Sequence, residues 1–108
     1  MRILPDECLP RRLKRDLAGL DVRTVPEMGW ASKRNGELLA LAEGRFDVFL
    51  TVDRNISFQN DVHRFALAVV VLHAAGNRLV DLRPLVPELL ATLNVVVPGR
   101  VFSVRSTM

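Results

Sequence analysis

A chain of 108 residues is long enough for one domain and too short for two. Just under half of it is hydrophobic, enough for a core at that size, while a net charge of +3 is too small to mark a nucleic-acid protein by itself. The lone cysteine excludes an internal disulfide framework, apolar runs such as Ala66–Leu72 are too short to cross a bilayer, and no secretory-type apolar stretch opens the chain; these features predict a cytoplasmic protein.

The first strand is expected from Arg2 to about Pro5, with Pro5 at its end because proline cannot donate to a ladder. A helix follows from about Pro10 to Leu20, with Leu9, Leu13, Leu17 and Leu20 at helical spacing on one face. Asp21–Val25 reads as a short, weaker strand, and Pro26 to Arg34 as a loop holding Gly29 and Trp30. Asn35 suits an N-cap and Gly44 a C-cap, which bounds a second helix. The nearly unbroken apolar run Phe46–Val52 predicts a strand buried on both faces, as in a parallel sheet. Asp53-Arg54-Asn55 is turn chemistry. Ser57 to Arg64 reads as a loop or a short helix, and Ala66–Leu72 as another buried strand. A helix with Pro87 in its first turn runs to about Asn94. After the Pro98-Gly99 turn, Arg100–Arg105 alternates like a last, partly exposed strand. Strands alternating with helices predict a single α/β domain over 1–108, with mostly right-handed crossovers around a largely parallel sheet.

Three carboxylates stand out on that frame. Asp6 and Asp53 directly follow two of the strands, and Glu37 opens the helix between them. Open α/β sheets bind ligands beyond the carboxyl ends of their strands, so the three acids are expected on one sheet edge. Clustered acids repel unless a cation joins them, and oxygen donors suit hard ions such as Mg2+ or Mn2+. Such ions orient water and neutralise charge on a scissile phosphate. Asn55 offers a further neutral oxygen. Asp47 lies at the opposite, amino end of its strand and is excluded. Arg11, Arg12, Lys14 and Arg15 crowd the start of the first helix, where positive charge opposes the macrodipole; a polyanionic partner would hold them there. Lys33, Arg34 and Arg54 flank the acids in sequence and suit phosphate.

The opening Ile3-Leu4-Pro5-Asp6-Glu7-Cys8-Leu9-Pro10 is similar to the start of small prokaryotic PIN-like proteins. Asn35-Gly36-Glu37-Leu38-Leu39 and Phe46-Asp47-Val48-Phe49-Leu50-Thr51-Val52-Asp53-Arg54-Asn55 resemble their second and third blocks, in the same order and spacing. The resemblance covers most of the chain through about Val71. It implies a three-layer α/β/α PIN-like fold and a metal-dependent endoribonuclease, often the toxin of a type II toxin–antitoxin pair. It also implies Asp6, Glu37 and Asp53 as the catalytic and metal-holding acids, RNA as substrate, and a small antitoxin protein as partner. Two departures stand out: Asn55 replaces a second acid often found two positions after the third-block Asp, and Pro5 replaces an aliphatic residue. A catalytically silent PIN-like binding module is the alternative.

A phosphoacceptor receiver also fits the acids Asp6, Glu7 and Asp53. It needs a lysine after a late strand, whereas Lys14 and Lys33 are both early, and a hydroxyl where His73 stands. Cys8 reads as a small, buried residue without a nucleophile's partners, and Trp30 as packing. A homodimer would draw on apolar side chains around Trp30 or Phe102.

Overall fold

The most continuous apolar runs of the sequence form the middle of the molecule. The computed structural model describes residues 1–105, apart from the side chains of Phe58 and Gln59. Among them, β1 (Arg2–Pro5), β2 (Asp21–Val22), β3 (Val48–Thr51), β4 (Ala68–His73) and β5 (Val101–Arg105) form one sheet in the order β2-β1-β3-β4-β5. Every neighbouring pair is parallel, so the fold is α/β with an all-parallel centre. All of β3 is buried, and so is β4 up to His73, because neighbours flank both and side chains cover both faces.

Strand alternation divides the core in two. Ile3, Val48, Leu50, Val70 and Leu72 face one cluster, with Leu13 and Leu17 and with Leu82, Leu85, Leu89 and Leu93. Leu4, Phe49, Val69 and Val71 face the other, with Trp30, Leu38, Leu39, Ala42 and Ile56. The first cluster thus takes α1 (Leu13–Asp16), α4 (Leu79–Leu82) and α5 (Val86–Leu93), and the second takes α2 (Asn35–Ala42) and α3 (Ile56–Gln59). These faces fix the hands of the crossovers. The step from β1 to β2 runs one way along the sheet over the first face; those from β2 to β3 and from β3 to β4 run the other way over the second face. These three share one hand. The β4-to-β5 step runs forward over the first face and has the opposite hand, against the usual uniformity of such connections.

The predicted first helix is the largest local difference. Only Leu13–Asp16 is α-helical, and the flanking amides bond three residues back: Leu13 to Pro10, Leu17 to Lys14 and Leu20 to Leu17. That tighter winding still buries Leu9, Leu13 and Leu17. A single turn has little macrodipole for the basic run to oppose. Two of its neighbouring charges are also paired, Lys14 with Glu27 at 3.2 Å and Asp16 with Arg83 at 3.3 Å.

The second predicted strand shortens to Asp21–Val22. Asn35 is already inside α2, and Arg34 takes the capping position with extended backbone. Gly44 follows the helix with φ of +82°, as a terminating glycine does. Val62–Arg64 forms a 3₁₀ turn after α3, and Arg83–Leu85 forms another between α4 and α5. Trp30 is buried, edge-on to Phe46 at 6.1 Å and under the Arg45 guanidinium, so it packs the second core and is no exposed dimer anchor. Phe102 is partly buried against the first core. No helix among the described residues is long and apolar enough to cross a membrane.

Candidate functional site

Strand order reverses direction between β1 and β3, since the chain leaves β1 toward β2 and later returns past it. The segments leaving the carboxyl ends of these two strands pass to opposite faces of the sheet, which is where open α/β sheets bind ligands. Asp6 is the first residue after β1, and Asp53 lies two residues after β3.

Thr51 joins the two acids. It is the last residue of β3 and is fully buried. Its hydroxyl donates to Asp6 Oδ2 at 2.9 Å and accepts the Asp53 N–H at 3.0 Å. Asp6 Oδ2 also accepts from Cys8 Sγ at 3.3 Å, and Asp6 Oδ1 from the Glu7 N–H at 2.8 Å. The Asp6 amide donates to the Leu50 carbonyl at 2.8 Å, which prolongs the β1–β3 ladder into the site. Asp53 Oδ1 accepts the Asn55 N–H at 2.9 Å and closes the turn; Asp53 Oδ2 accepts from Asn35 Nδ2 at 3.1 Å. Asp6, Thr51, Asp53 and Asn35 therefore form one connected chain from β1 to the start of α2.

Glu37 stands apart from that chain. Its Oε1 accepts the Arg34 N–H at 3.3 Å, which satisfies an otherwise orphaned amide at the start of α2. Among the described residues, no three His, Cys, Asp or Glu side chains gather as a metal-ligand group, so Asp6, Glu37 and Asp53 do not form one as they stand. Asn55 enters the site through its backbone amide, which holds Asp53. Glu7, the other acid after β1, accepts the Ser32 N–H at 3.0 Å and ties down a loop in which Ser32 has φ of +69°. Asp47 accepts the Arg2 amide at 2.7 Å at the amino edge of the sheet, away from the other acids.

The basic residues surround the acids unequally. Lys33 and Arg34 share a concave surface with Asn35, Glu37 and Asn60, next to Asp53 through Asn35. Arg11 and Lys14 line a cleft that begins at Asp6. That cleft continues into a shallower surface bordered by Arg12 and Arg15. Arg54 reaches over the end of β4, donating from Nη2 to the Ala74 carbonyl at 3.5 Å.

Burial raises the Cys8 thiol above its ordinary pKa, and the neighbouring Asp6 carboxylate adds to the effect. The thiol stays protonated and acts as a donor to Asp6, as expected of an inert cysteine. His73, at the end of β4, is pushed below its ordinary value, first by burial and then by the Arg105 and Arg54 guanidiniums.

Reading the sequence for acids missed Thr51, Asn35 as an Asp53 partner, and Arg105. Thr51 carried one available signal: a hydroxyl at the end of an otherwise apolar strand, two residues before an acid. The fold and site together define a parallel α/β protein with a carboxylate pair at the topological switch point. Comparison with protein-family models, curated proteins and solved structures finds no match to this chain.

Proposed function

We propose that the chain is a magnesium- or manganese-dependent endoribonuclease of PIN type, acting as the toxin of a type II toxin–antitoxin pair. One observation carries the reading: Asp6 and Asp53 sit at the switch point of the sheet, joined through the buried Thr51 hydroxyl. The pair presents only hard oxygens as acceptors. Magnesium is commonly held by one or two carboxylates, with water and substrate phosphate completing its shell. Each Asp oxygen has lone-pair capacity beyond the hydrogen bonds described above. By their chemistry, Asp6 and Asp53 are the residues that would hold such an ion. When bound, the ion supplies positive charge against a scissile phosphate and lowers the pKa of water in the site.

The chain's own groups do the rest. Thr51, Cys8 and the Glu7 amide fix Asp6 in one orientation. Asn35 and the Asn55 amide fix Asp53. Asp53 receives fewer donors than Asp6 and so has the more available lone pairs; it is the acceptor for the proton of an attacking water. Arg54, Lys33 and Arg34 border the acids and bind the RNA backbone, with Arg11, Arg12 and Arg15 further along the cleft. Glu37 joins the acids only by releasing the Arg34 amide.

The test is cleavage of a mixed RNA pool by purified protein with manganese, magnesium or chelator, alongside Asp6→Asn and Asp53→Asn. Metal-dependent cleavage that both folded variants lose is the expected result. A folded wild type that cleaves with neither metal overturns the proposal in favour of a silent binding module. A small reading frame next to this gene, whose product binds the protein, is expected of the antitoxin.

A phosphoacceptor role is the second reading, and the strand order favours it, because β2-β1-β3-β4-β5 is also the order of the flavodoxin-like doubly wound sheet. His73 and Arg105 end β4 and β5, where that chemistry calls for a hydroxyl and a lysine. Acetyl phosphate with magnesium labels Asp53 if this reading holds and leaves it unlabelled under the nuclease reading.

A further inference from the structure

Positive groups gather on the carboxyl edge of the sheet beyond the acid pair. His73 and Arg105 are register partners at the ends of β4 and β5. In a parallel sheet, partners project from the same face. That face is the one that carries Thr51, because Thr51 pairs with Val71, two residues before His73. Arg54 follows Asp53 directly and extends across to the Ala74 carbonyl, next to His73. Arg54 and Arg105 are exposed, and among the described residues neither makes a salt bridge.

We infer that Arg54, His73 and Arg105 form a phosphate subsite for single-stranded RNA on the same sheet edge as Asp6 and Asp53. This rests on the nuclease reading of the acid pair. Neighbouring strands lie about 4.8 Å apart, so the step from β3 to β5 covers about 10 Å of edge. An RNA strand with its scissile phosphate at the acids passes directly over this stretch. Two guanidiniums offer forked donors to phosphate oxygens, and the imidazole between them supplies a further N–H. The mutual repulsion of the two guanidiniums is relieved by an anion, and no carboxylate among the described residues supplies one through an ion pair. The path of the strand follows as well: from the cleft beside α1 it passes the acids and continues toward β5.

The measurement is binding of a fluorescent single-stranded RNA oligomer to the full chain, with chelator present, over a series of salt concentrations. For single strands, the slope of log K against log salt becomes shallower by roughly 0.7 for each phosphate that the protein no longer neutralises. The double variant Arg54→Ala/Arg105→Ala is expected to bind more weakly and with a slope shallower by about 0.7 to 1.4. Arg105→Lys keeps the charge and much of the slope. Arg64→Ala removes the same charge from the turn before β4, at the opposite edge, and leaves the slope unchanged. A wild-type slope in the folded double variant overturns the subsite, as does an equal loss in Arg64→Ala or an absence of RNA binding. If the slope falls as expected but no metal-dependent cleavage occurs, the subsite stands and the nuclease reading fails. An unchanged slope with cleavage intact leaves the nuclease and removes the subsite.

Discussion

Replacing Thr51 by valine keeps the shape of the side chain and deletes the hydroxyl that joins the two acids. Two short hydrogen bonds disappear, one to the Asp6 carboxylate at 2.9 Å and one from the Asp53 amide at 3.0 Å, together with a weak 4.0 Å contact to Cys8 Sγ. A hydrogen bond to a charged group contributes about 1.5–3 kcal/mol and a neutral one about 1 kcal/mol. Burying an extra methyl at this fully enclosed position returns about 0.8 kcal/mol. The net loss is therefore about 2–3 kcal/mol, which lowers Tm by about 10–20 °C in a domain of this size. Thr51→Ser keeps both hydrogen bonds and loses one methyl, at a cost of about 1 kcal/mol or about 5 °C. Thermal unfolding of the three proteins, followed by circular dichroism, separates these outcomes. Metal-dependent cleavage should follow the same order, with serine near wild type and valine well below it. Equal melting temperatures for the valine and serine variants would refute the argument that the hydroxyl, rather than its packing, holds the site together.

Three further outcomes follow from the core, the surface and the backbone. Phe49→Ala empties a fully buried position at the centre of β3 and should cost about 3–5 kcal/mol, read as a lower urea midpoint at unchanged m-value. Glu27 accepts the Thr24 amide and pairs with Lys14, which lowers its pKa from 4.5 to about 2. A folded pKa below the unfolded one gives a stability contribution that is present above the unfolded value and disappears as pH falls toward 2. Glu27→Gln should therefore destabilise the protein at pH 6 and leave it close to wild type near pH 2, in pH-resolved urea titrations. Gly99 has φ of +83° and lies against the backbone of His63 and Phe65. Gly99→Ala should cost about 1–2 kcal/mol through the left-handed conformation alone, whereas an unchanged midpoint would show that the turn before β5 relaxes.

Much of the architecture is local chemistry and was legible in one dimension. The apolar runs around Val48–Thr51 and Ala68–His73 announce buried parallel strands, because only a strand with neighbours on both sides and cover on both faces tolerates continuous hydrophobicity. Pro5 ends a strand, Gly44 ends a helix and Pro87 opens one, each for reasons contained in a single residue. The positions of Asp6 and Asp53 at strand ends follow from the same runs. Tertiary structure decided what pairing and packing control. Strand order made β1 and β3 neighbours, and this placed the Thr51 hydroxyl between two acids that are 47 residues apart in the chain. Packing wound the segment after Pro10 more tightly than its leucine spacing predicts, since an i to i+3 turn and an α-turn bury the same apolar face over so short a stretch. Glu37 shows the limit most clearly. Its place on a helix and its turn back to the Arg34 amide, three residues along the same chain, are local chemistry; that Asn35 rather than Glu37 meets Asp53 depends on distances that exist only once the sheet has closed.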